Sequence, residues 1–86
     1  MQRGWVISPE YRAAIDAIRK ARIERDVSQR ELARRLGKPP SFVNKIEQLE
    51  RRLDVLEFIA IAGALGIDAP ALTKAVVGAL PKEWSL

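Results

Sequence analysis

Residues 28–47 read SQRELARRLGKPPSFVNKIE, and this run decides the fold. Ser28-Gln29-Arg30-Glu31 has the pattern of a capping box, in which the Ser hydroxyl and the Glu carboxylate each satisfy an N–H at the start of a helix. Leu32, Ala33 and Leu36 follow at helical spacing as the buried face of a short helix. Gly37 ends it, because glycine takes the left-handed conformation without steric cost. Lys38-Pro39-Pro40 makes a tight connector, since the residue before a proline is driven out of the α region. The next helix begins at Pro40 or Ser41, with Val43 and Ile46 inward. Two helices joined this tightly cross at about 90–120° and need a small residue where they touch, here Ala33. With the inward positions spoken for, Ser41, Asn44 and Lys45 fall on the outer face, the type of surface that enters a DNA major groove.

Upstream, Ser8-Pro9-Glu10 is a helix start: a Ser cap, a proline in the first turn and an acid near the positive end of the dipole. Tyr11, Ala14, Ile15 and Ile18 then mark one face of a helix running to about Arg25. Downstream, Asp54-Val55-Leu56-Glu57 is a second capping box, opening a very apolar helix through Phe58, Ile59, Ile61, Ala62 and Leu65. Gly63 weakens that helix and Gly66 closes it. Asp68-Ala69-Pro70 starts a last helix with Leu72, Ala75, Val76 and Leu80 inward, stopped by Pro81. No strand pattern or repeat appears, so the fold class is all-α, with five short helices. Residues 1–8 read as an N-terminal arm, 9–80 as one domain with a helix-turn-helix unit at 28–47, and 81–86 as a tail.

The 86-residue chain is 48% apolar and 30% charged, an ordinary globular balance. It holds no cysteine and no histidine. That removes disulfides, thiol chemistry, the commonest general base and nearly all zinc sites, so neither an enzyme nor a cofactor is expected. No apolar run reaches the ~18–20 residues of a membrane span and no signal-peptide core is present, which reads as a cytoplasmic protein. The net charge is +4, and its distribution is uneven. Residues 1–52 carry thirteen Lys and Arg against seven Asp and Glu, whereas residues 53–86 carry two against four. The first part is therefore the side suited to a polyanion.

The run Ser28-Gln29-Arg30-Glu31-Leu32-Ala33, Gly37 eight residues after Gln29, and Ile46-Glu47 nine and ten residues further make a fairly specific signature. With Ile18-Arg19 before it and Leu65-Gly66 after it, the chain resembles the phage repressor and Cro type of helix-turn-helix, the xenobiotic-response-element (XRE) family, over roughly residues 15–72. The resemblance implies a compact five-helix, lambda-repressor-like domain, with double-stranded DNA as partner and a homodimeric transcriptional repressor as function. It assigns Gln29 to a phosphate or a base edge, and Pro40, Ser41, Asn44 and Lys45 to bases. Asn pairs bidentately with adenine, Lys with guanine O6 and N7, and Ser with either kind of base. Ser28, Arg30, Arg34 and Lys38 fall to phosphates, contacts that set register rather than sequence, and Arg51, with Arg52, either touches a phosphate or caps the C-terminal end of the third helix. Arg30 and Arg34, one helical turn apart, also repel each other, which favours a polyanion partner. Glu47 reads as structural, holding the backbone or a basic residue such as Arg51.

Two positions depart from the family pattern. Pro40 stands where a polar side chain is usual and offers only apolar contact. Leu49 stands where a glycine usually ends the third helix, and a left-handed leucine costs about 1–2 kcal/mol. Ile46, Leu49, Leu53, Leu56 and Ala60 also form an apolar heptad seam, and no proline or glycine interrupts residues 41–62. A fused third and fourth helix, with a domain-swapped or coiled dimer, is therefore the alternative architecture; the Asp54 cap favours the break and the compact fold. Trp5 and Trp84 read as covers for the core or as dimer contacts, and Val76, Val77 and Leu80 as the self-association surface. The rival function is an antitoxin or adaptor-type interaction module on the same fold, with a toxin or effector protein as partner.

Overall fold

The computed structural model describes residues 8–86. Five α-helices follow in order: α1 (Pro9–Glu24), α2 (Gln29–Arg35), α3 (Phe42–Glu47), α4 (Val55–Ala64) and α5 (Ala69–Ala79). Trp5 and the arm before residue 8 lie outside the described residues. No single helix among the described residues is long and apolar enough to cross a membrane.

The first four helices end in the same way. The residue after each C-cap is left-handed: Asp26 (φ 56°), Gly37 (φ 67°), Leu49 (φ 62°) and Gly66 (φ 72°). At each, two backbone N–H groups turn back to carbonyls of the last turn, as when Gly37 N–H donates to Arg34 O (3.0 Å) and Lys38 N–H to Ala33 O (2.9 Å). At the end of α3, Leu49 N–H donates to Ile46 O (3.0 Å) and Glu50 N–H to Lys45 O (2.8 Å). Leu49 therefore does a glycine's work, and the fused third and fourth helix does not form. Its strain is offset by packing, because the side chain is half-buried against the core. Leu49→Gly should accordingly be more stable than Leu49→Ala by about 1 kcal/mol, since alanine keeps the strain and loses the packing. Equal denaturation midpoints for the two variants would contradict this account.

The chain from Gln48 to Asp54 is pinned between α3 and α4. Leu53 N–H donates to the Tyr11 hydroxyl (3.0 Å), which ties this loop to α1. Asp54 accepts from Glu57 N–H (2.7 Å) and Glu57 from Asp54 N–H (3.0 Å), completing the expected capping box. The box at Ser28 forms by half. Glu31 N–H donates to Ser28 Oγ (3.0 Å), but the Glu31 carboxylate turns to Arg34 and Arg35 instead. Two guanidiniums outbid one backbone N–H.

The core gathers Ile15, Ile18, Leu32, Ala33, Val43, Ile46 and Leu72, all at expected inward positions, together with Phe42 and with Ile61, Ala62 and Leu65 of the apolar α4 segment. Ala33 is fully buried, as the α2–α3 contact requires. One inward assignment fails, because Ala75 is exposed; Ile59 is half-exposed and Ala60, from the heptad seam, is exposed. The helix α4 is apolar around more of its circumference than α5 and α2 can cover. Val55 and Leu56 are consequently 73% and 77% exposed. Val55, with Ile59, Val77, Phe58 and Ala69, borders an apolar groove between α4 and α5. Val76 packs against the core rather than outward, and Leu80 is half-buried. Trp84 shares a groove with Tyr11, Ala14 and Leu80, close to the start of α1.

Candidate nucleic-acid interface

The helix α3 begins one or two residues later than expected. Pro40 and Ser41 form the turn before it, closed by Phe42 N–H donating to Pro39 O (3.0 Å). Ser41 is the N-cap residue, yet its hydroxyl makes no capping bond. Phe42, Val43 and Ile46 face the core, which turns Asn44 and Lys45 to the surface. The outer face thus carries Ser41, Asn44 and Lys45, with Pro40 exposed just ahead of them.

Beside α3, the N-terminal half of α2 and the turn after it enclose a groove of about 450 Å³ lined by Ser28, Arg30, Glu31, Arg34, Lys38 and Pro40. Four of the expected phosphate contacts, Ser28, Arg30, Arg34 and Lys38, are brought together there. Their states differ. Among the described residues, Arg30, Lys38 and Lys45 form no ion pair. Lys38 Nζ lies over the Phe42 ring at 5.4 Å from its centre, held by the ring's negative face. Arg34 donates to Glu31 through Nε (2.8 Å) and Nη2 (2.7 Å), so its repulsion from Arg30 is offset within the helix. Hydrogen bonds from Arg34 and Arg35 hold the Glu31 carboxyl down at about 2, so it stays ionised across the physiological range. Ser28 Oγ accepts the α2 cap bond and keeps its O–H as a donor.

Arg51 lies on the loop after α3 and is engaged on two sides. Its guanidinium donates to Glu57 through Nη1 (2.9 Å) and Nη2 (2.7 Å), and stacks over Phe42 at 4.7 Å. That pairing holds the Glu57 carboxyl below the usual range. Arg51 therefore braces the loop between α3 and α4. Glu47 is structural as expected, but Arg51 is not its partner. Its side chain, 6% exposed, receives Arg22 Nε (2.7 Å) and Nη2 (2.9 Å) and Gln29 Nε2 (2.7 Å). Arg22 also donates Nη1 to the Val27 carbonyl (2.8 Å). Sequence reasoning passed over Arg22 and Phe42. An arginine next to the inward Ala21 on an otherwise apolar face was the available signal for the first.

The family model described as helix-turn-helix matches residues 18–72. A solved XRE-family like protein from Pseudomonas syringae pv. tomato str. DC3000 is 43% identical, with a TM-score of 0.75 over 84% of this chain and 88% of that one. Two solved structures of the clp gene regulator ClgR from Corynebacterium glutamicum share the fold. One is 21% identical with a TM-score of 0.71, over 83% of this chain and 76% of that one. The other is 20% identical with a TM-score of 0.73, over 86% and 95%. The comparison with curated protein sequences gave no match. A matched helix-turn-helix unit spanning most of the chain and a relative at this identity place the chain in a family: it belongs to the XRE-type helix-turn-helix family of DNA-binding regulators.

Proposed function

We propose that the chain is a sequence-specific, double-stranded-DNA-binding repressor that acts as a homodimer in the cytoplasm. The observation that carries this reading is the exposed face of α3, with Ser41, Asn44 and Lys45 uncommitted, beside the groove holding Arg30, Arg34 and Lys38. Asn44 and Lys45 read base edges, Ser41 accepts or donates to either kind of base, and Pro40 meets a thymine methyl. Gln29 makes a base or phosphate contact from the start of α2, beside Ser28. Arg30, Arg34 and Lys38 take phosphates, with Arg34 exchanging Glu31 for the stronger polyanion. Arg51 is left out of this set: Arg34 is 71% exposed, whereas Arg51 is 39% exposed and is stacked on Phe42 as well as paired with Glu57.

The dimer contact falls on the groove between α4 and α5, where Val55, Ile59 and Val77 leave apolar surface exposed. This replaces Val76 and Leu80, which the monomer itself covers. Selection of sites from a random duplex pool tests the reading. A palindrome with half-sites about one helical turn, ~34 Å, apart is expected. Recovery of no motif, with binding that fades evenly as salt rises, would overturn it. With about three phosphates neutralised per subunit, the log–log salt slope should lie near −5. Lys38→Ala should weaken all duplexes alike and flatten that slope by about one. A sequence-dependent loss would instead make Lys38 a reader of bases.

The same apolar groove supports a second reading, an antitoxin or adaptor whose α4–α5 face takes another protein. Sedimentation separates the two. A chain that stays monomeric at micromolar concentration and binds DNA weakly favours the partner protein.

A further inference from the structure

We infer that Glu47 is a positioning residue for DNA reading, acting through Gln29: it locks the Gln29 carboxamide in one orientation, with the carbonyl oxygen and one N–H turned away from the core. The inference rests on the DNA-binding reading above. An ionised carboxylate only accepts hydrogen bonds, so the Gln29 atom 2.7 Å from Glu47 Oε1 has to be the nitrogen. The flipped carboxamide would set two acceptors against each other.

Glu47 is itself immobile. Arg22 grips both of its oxygens, at 2.7 and 2.9 Å, and is anchored in turn on the Val27 carbonyl at 2.8 Å. Val27 lies two residues ahead of Gln29, so one guanidinium holds both the carboxylate and the backbone that leads into α2. Gln29 is half-buried at the first position of that helix. One N–H goes to Glu47; the other remains beside the carbonyl oxygen. This donor–acceptor pair matches the N7 and N6 edge of adenine, and the N–H alone suits a phosphate oxygen. A glutamine without the Glu47 contact samples both flips and gives up that freedom on binding.

A double-mutant cycle on the affinity for the selected duplex tests this. Glu47→Gln keeps the shape but either accepts or donates, so it tolerates both orientations of Gln29. It should weaken binding ~3–10-fold in the native background and less than about twofold in a Gln29→Ala background. Because this change also takes an anion from Arg22, Glu47→Asp serves as the second variant: it keeps the charge and withdraws the acceptor from Gln29. Circular dichroism at the assay temperature establishes that each variant is folded. Equal losses in both backgrounds would mean that Glu47 only holds the fold, and would overturn the inference. Asn44→Ala in the same assay separates the two levels. Loss of specificity there without coupling between residues 47 and 29 defeats this inference alone, whereas an inert Asn44 defeats the reading beneath it.

Discussion

Arg22→Ala is expected to lower the unfolding free energy by about 3–5 kcal/mol, the cost of leaving a buried ion pair with one member. The Arg22 side chain is 10% exposed, and it bonds both oxygens of a carboxylate that is 6% exposed. Its removal leaves the Glu47 charge with the Gln29 donor and, at 4.0 Å, the half-exposed Arg19, and takes from the Val27 carbonyl the guanidinium that satisfies it. A domain of this length has roughly 4–13 kcal/mol in total, so the variant should sit near the edge of folding. The melting temperature should drop by at least about 12 °C. Urea titration measures the effect directly. A loss under about 1 kcal/mol would mean that water reaches Glu47 and that the pair contributes as a surface pair does.

Asn44→Ala should cost about 1–3 kcal/mol on the preferred duplex, a loss of roughly 5–150-fold, and should relax discrimination at a single base pair. The fold should not feel the change. Asn44 is exposed on α3, its carboxamide makes no hydrogen bond among the described residues, and its backbone carbonyl still accepts from Gln48 N–H (2.8 Å). Binding measured against duplexes substituted one position at a time separates reading from simple attraction. An equal loss on every sequence would remove Asn44 from the readers and place it among the phosphate contacts.

The parts of this protein that are legible in the sequence are those whose cause lies within a few residues. Ser8, Ser28 and Asp54 cap their helices because each meets an N–H three residues on. Gly37 and Gly66 end α2 and α4 because the left-handed turn suits glycine. The inward positions of α1, α2 and α3 follow from helical spacing, and so does the outward placement of Asn44 and Lys45. The family signature, read from the same short-range pattern, held over the whole helix-turn-helix unit.

What tertiary structure decided is most choices among competing partners. Glu31 is the local exception: a backbone N–H was within reach by pattern, but Arg34 and Arg35, three and four residues on in the same helix, took its carboxylate. Glu47 had Arg51 four residues away and found Arg22 and Gln29, 25 and 18 residues away, because packing α1 against α3 buries its carboxylate beside them. Arg51 was drawn to Glu57 and the face of Phe42. Leu49 carried both a helical seam and a helix end. Its burial against the core, which only the folded chain supplies, settled it as the end. Local sequence determines which conformations are cheap. Which apolar faces are covered and which charges meet depends on distances between helices, and no periodicity within one helix encodes them.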